Sequence, residues 1–422
     1  MARTEVATAG AATARVDEKR LWNRHMEMAK IGATPAGGVN RFAFTPEDTA
    51  ARRLLLAWAQ ERGYSSDIDD LGNIFIRRPG TDAGAAPVIS GSHSDTQPKG
   101  GRFDGIYGVL AAFEVLEAMD EAGVKTKRPV EAVIWSAEEG GSRFDMGCLG
   151  SQGYADPGKL AALLERKDKD GMTVKAAVAE MMKGLPKLGR RPLKSPVAYC
   201  VEAHIEQGPV LEETRKTIGV VTAIHGQRWF KVEVIGEAGH SGNTPERLRK
   251  DAVTAAVPIM AALQKLFHDP DDIVRFTIGK IDVLPNAMAV IPASLTFTID
   301  FRHPDEATLK RLGDQVEPVA RANAGRCEVK VTQIRQAKTT PFKGVVPETI
   351  LAAAKRLGYP HMHIPSGAGH DARYIAEICP TGMIFIPCWK GISHNETEDA
   401  TPGDLAAGTR VLAETLVDLA NR

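Results

Sequence analysis

Gly91-Ser-His-Ser-Asp-Thr-Gln-Pro-Lys-Gly-Gly-Arg-Phe-Asp-Gly-Ile-Tyr-Gly108 is the stretch whose reading decides the fold. An apolar run, Pro87-Val-Ile-Ser90, leads into it, and a helical pattern at Val109–Met119 follows. Between them His93, Asp95 and Asp104 sit in a loop carrying five glycines. A loop at the end of a strand is where α/β proteins place their chemistry. Histidine with carboxylates suits a borderline divalent metal such as zinc. Alone the stretch is weak evidence, because loop histidines and aspartates are more often solvated turn residues.

Working outward, the strand, loop and helix continue into a second apolar run, Val130–Trp135, which makes a βαβ unit and predicts a parallel sheet with covered faces. Upstream, Thr45-Pro-Glu-Asp48 predicts a helix start, with Thr45 as N-cap, Pro46 at N1 and acids in the positive first turn. That helix should end at Gly63, followed by strands Ser65–Ile68 and Asn73–Arg77. Downstream, broken helical patterns over 157–195 precede a strand at Val197–Ile205.

From Gly226 the pattern changes. Arg228–Gly236 alternates, a helix is expected over Pro245–Phe267, and strands over Ile273–Leu284 and Ala293–Arg302. The second puts Leu295, Phe297, Ile299 and Phe301 on one side. A helix over Glu306–Asn323 and a strand over Cys327–Ile334 complete a β-α-β-β-α-β order, which predicts a ferredoxin-like unit. The larger pattern then resumes with helix Pro347–Leu357, loop Pro365–Gly369, strand Met383–Pro387 and a last helix from Asp404. The expected organisation is a mixed, largely parallel α/β domain, residues 1–222 and 335–422, interrupted by a smaller α+β unit at 223–334.

Composition excludes several classes. The chain has 422 residues, too many for one core. Lys plus Arg equals Asp plus Glu at 53 each, so no global field argues for nucleic acid or an anionic membrane. No apolar run is long enough to span a bilayer. Cys148, Cys200, Cys327, Cys379 and Cys388 are odd in number and scattered, which predicts reduced thiols in a cytoplasmic protein. Met1–Arg15 lacks an apolar signal core, and residues 1–16 are expected to be a disordered tail.

Four further stretches carry chemistry. Ser136-Ala-Glu-Glu-Gly-Gly141 puts two consecutive carboxylates just past a strand, where neighbouring side chains point opposite ways. One can hold a metal while the other serves as general base. His204-Ile-Glu-Gln-Gly-Pro209 and Gly391-Ile-Ser-His-Asn-Glu396 follow later strands, and Ala238-Gly-His-Ser-Gly-Asn-Thr-Pro245 lies in the smaller unit. Each could be an ordinary strand-end or turn histidine. Together they supply two metals sharing a bridging carboxylate.

On these motifs, with Asp300-Phe-Arg-His303 and Ser366-Gly-Ala-Gly-His-Asp-Ala372, the chain resembles the hydantoinase/carbamoylase branch of the M20 metallopeptidase superfamily. Members include N-carbamoyl-L-amino-acid hydrolases, β-ureidopropionases and allantoate amidohydrolases. The resemblance implies a zinc-exopeptidase-like catalytic domain with an inserted lid and dimerisation domain, and two divalent ions, Zn²⁺ or Mn²⁺, Co²⁺ or Ni²⁺. It implies His93 and His204 on one metal, Glu139 and His394 on the other, and Asp104 bridging. Asp95 would orient the His93 imidazole, Glu138 would be the general base, and His240 would stabilise the oxyanion from the partner subunit of a homodimer. Gln207, Arg302, Gly367 and Gly369 match substrate-binding positions. The implied substrate is a small ureido or amide compound, foremost an N-carbamoyl amino acid cleaved to amino acid, ammonia and carbon dioxide. Allantoate, ureidoglycolate and N-acyl or peptide amides are the alternatives. An inactive metal-binding scaffold, a further reading, would have no need of Glu138.

Three departures from relatives stand out. A second glycine, Gly141, follows the glutamate pair; Glu246 replaces the usual Met; and Ala289 in Pro285-Asn-Ala-Met-Ala-Val-Ile-Pro292 replaces an Asn that helps hold the substrate carboxylate.

Overall fold

The computed structural model describes residues 8–422, which form two compact units. The first comprises the described residues up to Thr222 together with Phe342–Arg422, and the second is Ala223–Pro341.

In the first unit, four parallel strands form the sheet centre in the order Val130–Trp135, Val88–His93, Tyr199–Ile205, Thr381–Ile386. Antiparallel strands extend both sides: Ile74–Arg78 and Ser65–Ile68 on one, Ile218–Ile224 on the other. The chain leaves Val88–His93 for a neighbour on one side and later returns to its other side at Tyr199–Ile205. That reversal is a topological switch point, where the crevice at the carboxyl ends of the strands opens. The central strands are buried on both faces, so they read as continuous apolar runs. Helix Ile106–Glu121 is apolar nearly all round because it lies between the sheet and helix Pro402–Ala420.

The expected helix start holds. Thr45 Oγ1 accepts from the Asp48 amide at 3.4 Å, Asp48 accepts from the Phe44 amide at 2.9 Å, and the helix runs Pro46–Glu61. The disordered tail does not hold beyond the residues outside the description. Ala9–Thr13 is a helix whose Ala12 is buried, and Thr13 donates to Glu414 at 3.2 Å. Its small side chains, which look like linker composition, allow close packing on Pro402–Ala420. Two of the longer strands among the described residues escaped the sequence reading. Ile218–Ile224 was not anticipated, and His361–Ser366 covers the start of an expected loop.

The second unit is a four-stranded antiparallel sheet, Arg275–Leu284, Ser294–His303, Gly226–Ile235, Glu328–Ala337, in that spatial order. With helices between the first and second and between the third and fourth strands in chain order, this is the ferredoxin-like arrangement. Leu295, Phe297, Ile299 and Phe301 are all buried on one face. Phe301 stands 4.6 Å, ring to ring, from Phe267 on helix Ala252–Phe267. Truncating such a phenylalanine costs about 3–5 kcal/mol.

Two helices differ from expectation for local reasons. Asp251 accepts from the Val253 and Thr254 amides, both at 3.0 Å, so the first helix starts at Ala252 and only a short turn, Glu246–Leu248, precedes it. The second breaks into Glu306–Gly313 and Val316–Ala322, because Pro318 has no N–H to bond the preceding turn.

Candidate metal centre

Parallel strands end on the same edge of a sheet, and the candidate ligands of the first unit gather there. His93 ends its strand, His204 lies one residue before the end of its own, and Glu138 and Glu139 follow Trp135. His394 lies on the loop after Thr381–Ile386. Asp104 precedes Gly105, which adopts φ 67° at the start of helix Ile106–Glu121. A Cβ there would stand 2.3 Å from the His93 ring, so only glycine lets the loop reach the imidazole. Ala137, Gln207 and His394 also hold left-handed backbone, at φ 54°, 56° and 54°. For non-glycine residues that conformation is strained, and it clusters at sites where surrounding structure imposes it.

Asp104 is the hub. Its Oδ1 lies 3.2 Å from His204 Nε2 and 3.9 Å from His93 Nε2, and its Oδ2 lies 3.3 Å from His394 Nε2. Glu139 Oε2 is 3.7 Å from His394 Nε2, and Glu138 Oε2 is 3.6 Å from His93 Nε2. Two triads result: His93, Asp104 and His204, and Asp104, Glu139 and His394, with donor atoms in each within 4.8 Å of one another. Donors about 2.1 Å from a tetrahedral zinc stand about 3.4 Å apart, so both triads fit a divalent cation. Glu139 Oε1, buried and without a hydrogen-bond partner, is an orphan that a cation would satisfy.

Charge points the same way. Burial, then the charges of Asp95 and Asp104, push Glu138 up to about 8; burial and Asp104 raise Glu139 well above the carboxylate range. Burial alone would lower His204, but its hydrogen bond to Asp104 raises it to about 9. Burial lowers His93 to about 4, which leaves the neutral imidazole a metal requires. A carboxylate cluster this buried, holding protons it would otherwise release, is a place for positive charge.

The supports of the triads were only partly anticipated. His93 Nδ1 faces the Asp95 backbone carbonyl at 2.9 Å, whereas the Asp95 carboxylate, expected to orient it, is 3.8 Å away. That carboxylate instead accepts from the Glu138 and Glu139 amides, at 3.3 and 3.1 Å. His204 Nδ1 faces the Ile205 carbonyl at 2.8 Å. Sequence reasoning missed Gln97, which donates to Glu139 Oε2 at 2.7 Å, although it lies within the opening motif. It also missed Glu398, which accepts from the Phe103 and Asp104 amides at 2.9 and 3.0 Å, and His370, whose ring lies 4.6 Å from that of His204. Glu202, His204 and His370 form a further buried cluster of donors. Cys148 Sγ lies 3.2 Å from Glu138 Oε1, and burial, then the Glu138 charge, holds this thiol well above its ordinary pKa, so sulfur donates.

Among the candidate substrate contacts, Gln207 Nε2 donates to Asp104 Oδ2 at 3.1 Å. Gly367 and Gly369 are exposed in the turn that Ser366 closes with His370 at 2.9 Å. His240 and Arg302 belong to the second unit. His240 is exposed, and its Nδ1 accepts from the Gly242 and Asn243 amides at 3.0 and 3.2 Å, which leaves Nε2 as the donor. Arg302 pairs with Asp300 at 2.7 Å. The Ala289 carbonyl accepts from the Ser241 amide at 3.1 Å, so the substituted position borders the His240 loop.

Two ligand sets sharing Asp104, with the Glu138 carboxylate beside them, fit a metal-dependent hydrolase. A profile of peptidase family M20/M25/M40, a metal-dependent family, matches residues 89–418. An N-carbamoyl-L-amino-acid amidohydrolase of Rhizobium meliloti is 38% identical over 409 residues, 96% of this chain and 97% of the relative. The allantoate amidohydrolase of Escherichia coli K12 is 36% identical over 401 residues, 93% of this chain and 96% of its own length. The crystal structure of a hydantoinase/carbamoylase family amidase from Burkholderia multivorans superposes with a TM-score of 0.87 at 45% identity, covering 96% of this chain and 98% of the other. The chain belongs to the M20 metallopeptidases and, within them, to the hydantoinase/carbamoylase family. No helix among the described residues is long and apolar enough to cross a membrane.

Proposed function

We propose that this enzyme hydrolyses the carbamoyl C–N bond of an N-carbamoyl amino acid, releasing the amino acid, ammonia and carbon dioxide. The observation that carries the reading is the pair of triads sharing Asp104, with Glu138 Oε2 beside them. In this reading His93 and His204 would hold one divalent cation and Glu139 and His394 the other, with Asp104 shared between them. Cations held there would supply Lewis-acid chemistry, activating a water and polarising the substrate carbonyl. Glu138 takes the proton of the attacking water at Oε2 and returns it to the departing nitrogen. Gln207, Arg302, Gly367 and Gly369 orient the substrate, with Arg302 gripping its carboxylate.

His240 Nε2 donates to the developing oxyanion from the partner of a homodimer. The dimer would form through the second unit, whose edge strand Arg275–Leu284 exposes Ile281 and Leu284. The five free thiols suit the cytoplasm. The allantoate amidohydrolase relative supports a second reading, allantoate as substrate.

The test is a panel of N-carbamoyl α- and β-amino acids, allantoate, ureidoglycolate and N-acyl amino acids. Chelated enzyme would be reloaded separately with Mn²⁺, Co²⁺, Ni²⁺ or Zn²⁺. Fastest turnover is expected on an N-carbamoyl amino acid. Preference for allantoate selects the second reading, and activity confined to N-acyl compounds overturns both.

A further inference from the structure

We infer that Cys148 is a positioning residue for the reaction, fixing the Glu138 carboxylate so that one defined oxygen faces the substrate. The inference rests on the reading of Glu138 as general base. Its starting point is the buried, hydrogen-bonded pair between two residues ten positions apart.

The geometry begins in the backbone. The amides of Cys148, Leu149 and Gly150 donate to the carbonyls of Glu138, Ala137 and Ser136, at 2.8, 3.0 and 2.8 Å. The segment 147–150 is thereby strapped along the segment that presents the base. The approach is too close for side chains at its glycines. A Cβ at Gly147 would stand 2.8 Å from the Glu138 carbonyl oxygen, and one at Gly150 would stand 2.6 Å from the Ser136 nitrogen. Ala137 on one side of the strap and Cys148 on the other both hold left-handed backbone, at φ 54° and 55°. From another side the Asp95 carboxylate takes the Glu138 amide. The main chain under the base therefore has no freedom left.

A fixed backbone still leaves the carboxylate able to rotate about its last bond. Cys148 removes that freedom. Its Sγ donates to Oε1 at 3.2 Å, while Oε2 faces His93 Nε2 at 3.6 Å, so the two oxygens are assigned different tasks. A general base acts only within hydrogen-bond reach of the proton it takes, and small misplacements of reacting groups are costly in rate. The helix that Cys148 opens, Leu149–Ala155, is itself anchored, because Ser151 donates to the buried Asp371 at 2.5 Å. The sulfur thus sits on a segment held both by the chain that presents Glu138 and by Asp371, at the start of helix Ala372–Ile375.

Space-filling is the competing account of a buried cysteine, and three substitutions separate the two. Cys148→Val fills the space without a donor, Cys148→Ala leaves space and no donor, and Cys148→Ser keeps a donor. Each variant is purified as the full chain, loaded with Mn²⁺, and measured for kcat and KM on the fastest substrate of the panel, with metal content and melting temperature recorded. The expected result is a roughly tenfold lower kcat in Cys148→Val and Cys148→Ala, as for loss of a hydrogen bond to a charged group. KM and metal content stay unchanged, and Cys148→Ser stays within about threefold of the parent. Parental kcat in Cys148→Val or Cys148→Ala overturns the inference, as does Cys148→Ser falling as far as Cys148→Val. Glu138→Gln is run alongside. If it keeps full activity, the reading of the base has failed; if it is inactive while Cys148→Ala is not, only the role of Cys148 has failed.

Discussion

The two units hold their candidate groups in opposite ways. In the first, His93, Asp104 and His204 are buried; the two rings lean on the carbonyls of Asp95 and Ile205, but their donor atoms meet at Asp104, which is braced from far off in sequence. The Asp104 amide, for example, is held by Glu398, 294 residues away. In the second, His240 is exposed and its ring is held by amides two and three residues on, while Arg302 is held by Asp300, two residues back. A long-range buried network tolerates little displacement, whereas an exposed group held by its own loop can be exchanged or re-aimed at small cost. Ligands that must keep fixed distances suit the first setting, whereas the proposed substrate contacts divide, with Gln207, Gly367 and Gly369 in the first unit and Arg302 in the second. Ala289, the departure that the family resemblance connects with substrate, lies in the second unit.

The largest effect expected is in the first unit. Glu138→Gln should lower turnover by about 10²–10⁴-fold with both metals retained, because a carboxamide cannot take the proton. Glu139→Gln should instead lose one metal equivalent. Metal analysis of both variants checks the assignment, and the converse pattern would mean that the two roles are reversed.

His240→Ala comes next, with kcat lowered about 10²–10³-fold at unchanged metal content, as for a lost oxyanion donor. If the donor comes from the partner, mixing this variant with Glu138→Gln restores activity, since some hybrid dimers carry one complete site. No recovery despite demonstrated subunit exchange would place the whole site in one chain and break the division of labour drawn between the units.

What was legible in the sequence follows the same division between local and distant causes. The helix start at Thr45 and the alternation of Leu295, Phe297, Ile299 and Phe301 are local patterns, and both stand in the structure. The strand-end histidines and carboxylates of the first unit were legible too, since a ligand just past an apolar run announces itself. The supports were not. Nothing near Asp95 says that its carboxylate holds amides 43 and 44 residues on, and nothing near Glu398 marks it as the brace of Asp104. The Ala9–Thr13 helix was missed because its burial comes from a partner at the other end of the chain. His361–Ser366 was missed because its histidines and proline blur the alternation that marks a strand.

A smaller effect is expected at Ala289. Its carbonyl meets the Ser241 amide, but its side chain has no donor to offer the substrate carboxylate that Arg302 is proposed to hold. A hydrogen bond to a charged group is worth about 1.5–3 kcal/mol, or ten- to a hundredfold in affinity. Ala289→Asn should therefore lower KM for ordinary N-carbamoyl-α-amino acids by at least about tenfold. A specificity profile left unchanged would show that this position does not line the substrate site.

The smallest effect separates the units by their response to metal removal. In chelated protein several groups of the first unit hold protons tightly, among them Glu138 with a pKa pushed up to about 8 and His204 to about 9. Both lie above their unfolded values, near 4.3 and 6.5. Between pH 6.5 and 9 the folded chain therefore binds more protons than the unfolded one, and stability must fall as pH rises. His93, lowered to about 4, is neutral in both states over most of this window and adds little. Each extra proton is worth at most about 1.4 kcal/mol per pH unit, or about 2–4 °C in melting temperature for a domain of this size. The melting temperature of chelated protein should decline by this order across the window. Metal-loaded protein should be much less sensitive, because bound cations replace the protons. Hydrogen exchange measured at both ends of the window locates the effect: protection in chelated protein should weaken around Val88–His93 and Tyr199–Ile205 and hold at Ser294–His303. Equal weakening in both units would mean that the buried charge of the metal centre does not set the acid–base response of the fold.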